Sequence, residues 1–185
     1  MIPFPNKKYN IIYADCPWNY EDQGCQGTMA NHYKGMKIAD ICDLPVDSIV
    51  DDNAILFFWA TYPMLKEALE VIKSWGFAYK TIAFQWIKLN PKSGTLFYGL
   101  GRWTRGNTEP CLLATRGRPK RISKSVFQII EAPRGRHSKK PSIVRQKIVE
   151  LVDDLPRIEL FARPPKDLLF PHPSYEGWNL WVNEV

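Results

Sequence analysis

The stretch Asn10-Ile11-Ile12-Tyr13-Ala14-Asp15-Cys16-Pro17-Trp18-Asn19-Tyr20 decides the fold of this 185-residue chain. Its first five residues have the β-branched and aromatic side chains typical of a buried strand, and Pro17 prevents that strand from continuing. Asp15 is therefore predicted at the carboxyl end of a strand, at the edge of an open α/β sheet where ligands bind. On these four residues alone, a plain structural interpretation is favoured, a strand end followed by an Asx-type turn, because Asp-x-Pro turns are common.

The composition is that of one ordinary globular domain. Hydrophobic residues make up 45% of the chain and charged residues 24%, so we predict a single domain over residues 1–185. No apolar run approaches the ~20 residues that span a bilayer, and the first residues lack a signal-peptide core, so we expect a cytoplasmic protein without a membrane partner. The four cysteines and three histidines are irregularly spaced, and neither a disulfide framework nor a metal site is predicted.

Positive charge is concentrated in two short segments. The net charge is +6, and such a balance suits a polyanionic partner. The first segment contains Arg116, Arg118, Lys120, Arg121 and Lys124, and the second contains Arg134, Arg136, Lys139 and Lys140. Two basic segments in an aromatic-rich chain favour nucleic acid as this partner, and we expect the arginines and lysines to contact its phosphate backbone.

Alternating strand and helix patterns predict an α/β sheet. Strands are predicted at residues 10–14, 54–60, 77–89, 107–117, 126–130, 157–163 and 177–185. Helices are predicted at 62–75, with Leu65, Ala68, Leu69 and Ile72 on the apolar face, and at 141–154. The strand, helix, strand order over residues 54–89 predicts a βαβ unit of a doubly wound sheet. Residues 90–106 lack a phosphate-binding motif and are interpreted as a substrate loop.

Five ordered patches resemble one family of adenine-N6 methyltransferases, the MT-A family of the mRNA adenosine methyltransferase catalytic subunit. The patches are Asp15-Cys16-Pro17-Trp18, similar to the family's Asp-Pro-Pro-Trp, Tyr33 with Met36, the loop from a Gly-Arg pair to Arg116-Gly117, His137-Ser138-Lys139-Lys140-Pro141, and Glu159-Leu160-Phe161-Ala162-Arg163. Within this family, the chain resembles the compact bacterial and phage members that methylate DNA. The resemblance implies a Rossmann-like S-adenosylmethionine-dependent methyltransferase fold, mostly parallel, with helices on both faces and a permuted motif order.

The implied reaction is site-specific methylation of the exocyclic amine (N6) of adenine in DNA. That amine is a poor nucleophile, because its lone pair is delocalised into the ring. The carboxylate of Asp15 and the carbonyl of Cys16 can each accept one amine hydrogen, Pro17 stiffens the turn, and Trp18, Tyr20 and Tyr33 are candidate contacts to the base.

The resemblance also implies the residues that bind the cofactor, S-adenosylmethionine. Lys140 would face its methionine carboxylate, Arg163 would lie near the ribose, and Asn183 and Glu184 would hold the adenosine. Asp15, Glu159 and Phe161 would be further cofactor-site residues. Lys140 also precedes a predicted helix, where free amides favour an anion. Without the resemblance, Glu159 and Arg163 would be interpreted as a structural ion pair. Glu109 is expected to orient loop backbone.

Cys16 departs from the family, which has proline there. A cysteine frees φ and adds an N–H but keeps the carbonyl, so we expect activity to survive. Three alternatives stay open. Cys16 could act as a nucleophile, as in cytosine carbon methylation; RNA could replace DNA as substrate; and the chain could be a noncatalytic nucleic-acid-binding partner of a methyltransferase.

Overall fold

The computed structural model describes residues 3–19, 35–101, 103–135, 139–164 and 173–182. In these residues the chain forms seven strands and three α-helices. The strands are β1 (Tyr9–Ala14), β2 (Val50–Trp59), β3 (Ala78–Leu89), β4 (Thr108–Arg116), β5 (Ile129–Pro133), β6 (Arg157–Leu160) and β7 (Asn179–Trp181). The helices are α1 (Ile38–Cys42), α2 (Leu65–Ser74) and α3 (Ile143–Val152). Short 3₁₀ turns occupy Val46–Ile49, Tyr62–Met64 and Pro173–Tyr175.

All seven described strands join one sheet in the order β5-β3-β4-β2-β1-β6-β7. β1 pairs in parallel with β2 and β6, and β6 pairs in parallel with β7. β4 runs antiparallel to both of its neighbours, β2 and β3. The mostly parallel α/β sheet is therefore confirmed. The predicted βαβ unit is present as β2, α2 and β3, but β4 is inserted between its two strands.

The strands have two buried faces because their side chains alternate across the sheet. Ile12, Ala14 and Phe58 point to a core shared with α1 and α2, whereas Tyr13 and Trp59 point to a second core under α3. Helices therefore cover both faces of the sheet, as expected. We call the side under α3 the α3 face.

The direction of the strands determines which residues meet at each edge. Ala14 at the end of β1 lies beside Phe58 of β2 and Leu160 of β6, so these three parallel strands end together. We call this the carboxyl edge and the opposite one the amino edge. Because β4 is antiparallel, its first residues lie at the carboxyl edge, with Cys111 opposite Trp59, and its last residue, Arg116, lies at the amino edge opposite Ala54.

The helix predicted at 62–75 differs from the structure in its start and in its buried face. Residues 62–64 form a 3₁₀ turn and α2 begins at Leu65. Val71 is fully buried with Ala68 and Ile72, whereas Leu65 and Leu69 are partly exposed. The apolar face is thus rotated relative to the prediction, because α2 packs on α1 as well as on the sheet.

Other element bounds shift by a few residues. β5 begins three residues later than predicted and extends to Pro133, and β6 ends at Leu160 instead of residue 163. The last strand is observed at 179–181, and residues 183–185 lie outside the described residues. In the described part of the chain, no helix is long and apolar enough to span a bilayer.

The rotated face of α2 predicts different costs for two aliphatic truncations. Ile72→Ala is expected to lower the free energy of unfolding by about 2–5 kcal/mol, because Ile72 is only 1% exposed and its removal leaves a cavity. Leu69→Ala, the matched control, should lower it by less than about 1.5 kcal/mol, since Leu69 is 37% exposed. Urea unfolding followed by circular dichroism measures both values. Equal losses would contradict this assignment of the buried face.

Candidate active site

The turn after β1 holds Asp15 at the carboxyl edge. The backbone N–H of Trp18 donates to the carbonyl of Cys16 at 3.0 Å, which closes a tight turn around Pro17. The N–H of Met36 donates to the carbonyl of Pro17 at 2.8 Å, so the segment just before α1 is tied to the same turn. Asp15 therefore projects from a backbone that is held on both sides.

A cluster of four charged side chains crosses the carboxyl edge. The ammonium Nζ of Lys140 lies 3.0 Å from Oδ1 of Asp15 and 2.8 Å from Oε1 of Glu109. The second carboxylate oxygen of Glu109 lies 2.9 Å from Nζ of Lys88. We call Asp15, Lys88, Glu109 and Lys140 the edge cluster. The side chains of Lys140 and Glu109 are each only 10% exposed, so their charges interact in a medium of low polarity.

The alternation of the strands explains why these groups meet. Asp15 is two residues beyond Tyr13, Lys88 two beyond Trp86, and Glu109 two before Cys111. Tyr13, Trp86 and Cys111 all lie in the core under α3. Each charged residue thus emerges on the α3 face, where Lys140 arrives in the segment that leads into α3. Its ammonium also lies 5.5 Å from the ring centroid of Trp59, a cation–π contact.

The edge cluster shifts the pKa values of Lys140 and Glu109 in the directions that keep both side chains charged. Burial alone would lower the pKa of Lys140, but the carboxylates of Asp15 and Glu109 outweigh it and raise the pKa well above its ordinary value. Burial alone would raise the pKa of Glu109, but the ammonium groups of Lys140 and Lys88 outweigh it and the pKa is lowered. Glu109 therefore pairs with two lysine side chains. The sequence, from which we expected Glu109 to orient loop backbone, did not predict this pairing.

Trp18 does not offer an open ring to a substrate. Its side chain is 3% exposed and its ring packs edge-on against Phe58, with centroids 5.7 Å apart. This burial argues against Trp18 as the ring that stacks on the base. Its structural contribution is to fasten the Asp15 turn to the core shared with α1 and α2.

Cys16 is buried, and its burial bears on the nucleophile alternative. Burial, and secondarily the neighbouring charge of Asp15, raise the pKa of the thiol well above its ordinary value. A nucleophilic cysteine needs the thiolate. The structure therefore argues against nucleophilic catalysis by Cys16.

Glu159 is engaged by a partner that the sequence did not indicate. Its carboxylate accepts two hydrogen bonds from the guanidinium of Arg145 in α3, at 2.6 and 2.7 Å. Both side chains are buried, and the guanidinium also lies 4.0 Å from the ring centroid of Tyr175. The structural ion pair of Glu159 is thus with Arg145 rather than Arg163, and it fastens α3 to β6.

Phe161 and Arg163 follow β6 at the carboxyl edge. Phe161 has a positive φ of 60°, an uncommon conformation for a residue with a side chain. Its ring packs against Trp181 with centroids 5.2 Å apart. The carbonyl of Arg163 accepts a hydrogen bond of 3.4 Å from the hydroxyl of Tyr175. Phe161 and Arg163 follow β6, which pairs with β1, so they come directly after the strand beside the one that precedes Asp15. Ligands of such folds bind outside the carboxyl ends of the strands.

The two basic segments lie at opposite edges of the sheet. Arg116 ends β4 at the amino edge, where it pairs with Asp47 and lies 5.8 Å from the ring centroid of Phe77. The segment that follows stays there, since the N–H of Arg118 donates to the side-chain oxygen of Asn53 near the start of β2. Arg134, in contrast, directly follows β5 at the carboxyl edge. Of the predicted phosphate-binding residues in the described ranges, Arg134 is thus the one at the same edge of the sheet as Asp15, with three strands between them. Arg116, Arg118, Lys120, Arg121 and Lys124 follow the far end of β4.

Five predicted site residues fall outside the residues that the structure describes. They are Tyr20, Tyr33, Arg136, Asn183 and Glu184. Within the described ranges, no group of three or more histidine, cysteine or acidic side chains is arranged to hold a metal ion.

The donor groups at this edge fit the charge pattern of S-adenosylmethionine. The methionine part of that molecule carries a carboxylate, an ammonium and a positively charged sulfur. The edge cluster supplies both a buried cation, Lys140, and an acid, Asp15, within 3.0 Å of each other. A ligand with both signs of charge can therefore be paired by the same two side chains.

Comparison with known sequences shows the family of this chain. The MT-A70 family profile matches residues 9–178. This chain belongs to the MT-A70 family. The matched range includes the Asp15 turn, all four members of the edge cluster, and Arg163.

Relatives of this MT-A70 chain include bacterial and animal proteins. It is 34% identical over 203 residues to the type II methyltransferase M.MunI of a Mycoplasma species, covering 98% of this chain and 79% of that protein. It is 26% identical over 159 residues to the human N(6)-adenosine-methyltransferase catalytic subunit METTL3, and to an MT-A70-like protein of Drosophila melanogaster. Those alignments cover 85% of this chain but only 26% and 25% of the two longer proteins.

The edge cluster predicts a pH-dependent loss of stability in Glu109→Gln. The lowered pKa of Glu109 means that its ionised form contributes stability above its unfolded pKa of about 4.3, and that this contribution is lost as pH falls through the folded pKa. We therefore expect the variant to be about 1–3 kcal/mol less stable at pH 7 and to approach the original protein below about pH 4. Glu131→Gln, at an exposed position on β5, should change little at either pH.

Urea unfolding across pH 3 to 8 measures this difference. A penalty for Glu109→Gln that is the same at pH 7 and in acid would contradict the electrostatic explanation and would indicate a packing defect.

Proposed function

We propose that this protein transfers the methyl group of S-adenosylmethionine to the exocyclic N6 amine of adenine in DNA. The observation that carries the proposal is Asp15 at the carboxyl end of β1, held by Lys140, which is held in turn by Glu109. M.MunI supports DNA over RNA, since type II denotes DNA modification enzymes and the alignment spans most of that protein. The METTL3 relatives align over about a quarter of their length and leave RNA as an outcome of the test.

Asp15 and the Cys16 carbonyl would position the amine for attack. Lys140 occupies Oδ1 of Asp15, so Oδ2 is the oxygen left to accept an amine hydrogen. The carbonyl of Cys16 already accepts from the N–H of Trp18, and its second lone pair can accept the other amine hydrogen. Two fixed acceptors set the orientation of the amine, so rate enhancement comes mainly from positioning.

S-adenosylmethionine, when bound, supplies a methyl group on a positively charged sulfur. We propose that Lys140 and Arg163 bind its methionine and ribose portions, and that Asn183 and Glu184 bind its adenosine. Phe161 would shape the turn after β6, since its ring is buried against Trp181. Glu159 would contribute indirectly, since its carboxylate is occupied by Arg145. The catalytic turn would then precede the cofactor segments along one domain of residues 1–185, which is the permuted motif order.

The target strand would approach the carboxyl edge. Arg134 would contact its backbone there, with Arg136 nearby in sequence, and Tyr20 and Tyr33 remain the proposed base contacts. In a duplex the adenine must leave the base stack to reach Asp15, whereas in a single strand it need only be unstacked.

Asp15→Asn tests the catalytic assignment. The variant keeps the shape of the side chain but loses the negative charge toward the amine and toward Lys140. We expect the methylation rate to fall at least about a hundredfold, the scale of losing one preorganised electrostatic contact. Asp52→Asn, an exposed position near the amino edge, is the matched control and should retain full activity.

The assay uses S-adenosylmethionine labelled in its methyl group with single-stranded DNA, duplex DNA or RNA, followed by digestion to nucleosides. Label in N6-methyladenine from DNA supports the proposal, and label from RNA alone would reassign the substrate. If the protein binds S-adenosylmethionine in calorimetry but labels no polymer, the noncatalytic partner is favoured instead.

Cys16→Ser distinguishes a structural from a nucleophilic cysteine. Because Cys16 would act only through its backbone carbonyl, we expect the serine variant to retain methylation within about tenfold. Cys111→Ser, a second buried cysteine on β4, controls for the effect of placing a hydroxyl in the core. Complete loss of activity in a folded Cys16→Ser protein, with activity retained by Cys111→Ser, would support the nucleophile.

A further inference from the structure

The connection between β3 and β4, described at residues 90–101 and 103–107, forms an arm at the carboxyl edge. The arm begins where β3 ends and returns where β4 starts. Lys88 and Glu109, two members of the edge cluster, flank it directly. Its base is therefore adjacent to Asp15 through the chain of contacts Lys88, Glu109 and Lys140.

Backbone hydrogen bonds give the arm a defined shape. The N–H of Phe97 donates to the carbonyl of Lys88 at 2.8 Å, and the N–H of Gly99 donates to the carbonyl of Gly106 at 2.7 Å. The side-chain amide of Asn107 donates to the carbonyls of Lys88 and Phe97. At the tip, a Cβ on Gly101 would lie 1.7 Å from the carbonyl oxygen of Thr104, so the turn there requires glycine.

The tip presents large apolar side chains to solvent. Leu100 is 94% exposed and Trp103 is 95% exposed, and Tyr98 beside them is about half exposed. Scattered exposed apolar residues are ordinary, but here they are grouped at the end of a hydrogen-bonded arm beside a catalytic edge. Such a group is typical of a contact surface.

The charge around the arm matches a nucleic-acid backbone. The arm contains no acidic residue, and its Lys92 and Arg105 are exposed. The guanidinium of Arg134 stacks over the ring of Phe97, 3.7 Å from its centroid, which fixes one more cation against the arm. Apolar side chains within a positive rim suit a partner that combines phosphates with flat, stacked bases.

We propose that Leu100 and Trp103 insert into the base stack of duplex DNA and open it beside the target adenine. The inference rests on the proposed function, because an adenine must leave the duplex to reach Asp15. Unstacking one base leaves a gap, and an apolar or aromatic side chain that fills this gap stabilises the opened duplex. Single-stranded DNA needs no such opening, so its methylation is independent of the tip.

The test compares one DNA sequence in two forms, a circular single strand and its double-stranded counterpart. The double variant Leu100→Ser/Trp103→Ala is expected to lose about tenfold or more in initial rate on the duplex, the scale of one lost stacking contact. On the single strand it should stay within about twofold of the original protein. Phe127→Ala, an exposed aromatic just before β5 and so at the amino edge, is the matched control. It should leave both rates unchanged.

A second measurement reports opening without turnover. Permanganate oxidises unstacked thymines, including the partner of an extruded adenine. The original protein should increase thymine reactivity in the duplex, and the double variant should not. Since both side chains are exposed, the unfolding midpoints of the two proteins should agree, which separates this effect from misfolding.

The outcomes separate this proposal from the proposed function. No N6-methyladenine on either DNA with the original protein would contradict the proposed function itself. Methylation of the single strand alone, or duplex methylation that the double variant retains, would overturn only the opening role of the tip. Equal losses on both forms, with a changed mass in analytical ultracentrifugation, would overturn it in favour of an assembly surface between two copies.

Discussion

The charged cluster at the carboxyl edge depends on one buried cation. The ammonium of Lys140 lies between the carboxylates of Asp15 and Glu109, and Lys88 completes the cluster on the far side of Glu109. Taking such a charge out of water is unfavourable unless opposite charges surround it. Lys140 therefore needs both acids, and each acid in turn is oriented by it. Through this cation, Asp15 after β1 is linked to the end of β3 and the start of β4, which lie more than 70 residues away in the chain.

The direction of β4 makes this arrangement possible. In a wholly parallel sheet the first residues of a strand would lie at the amino edge, far from Asp15. Because β4 is antiparallel, its first residues, including Glu109, lie at the carboxyl edge, and its last residue, Arg116, lies at the other. The same reversal places the arm between β3 and β4 at the same edge as the Asp15 turn. It also separates the first basic segment from Arg134, so only part of the positive charge of the chain lies at the carboxyl edge.

Packing holds the site without taking part in the chemistry. Trp18 secures the Asp15 turn against Phe58, and the bidentate pair of Arg145 and Glu159 joins α3 to β6. Trp18 and Glu159 belong to motifs that resemble those of methyltransferases, and both side chains are buried. A residue in a family motif can thus hold the scaffold on which the neighbouring residue acts, and burial is the observation that distinguishes the two roles.

Local pattern in the sequence was sufficient for much of the fold and for the central acid. The apolar run of residues 10–14 and the proline at 17 determined that a strand ends at Asp15, since side-chain alternation and the missing proline N–H are local properties. The α/β class and most strands followed from similar reasoning, whereas Lys140 was indicated by the resemblance to a family motif. The sequence did not predict the buried face of α2, the partner of Glu159 or the pairing of Glu109 with Lys140. These depend on which strand lies beside which and in what direction, and contacts between residues distant in the chain decide that. Only the tertiary structure could therefore bring Asp15, Glu109 and Lys140 together, because their attraction acts over a few ångströms of space and leaves no trace in their spacing along the sequence.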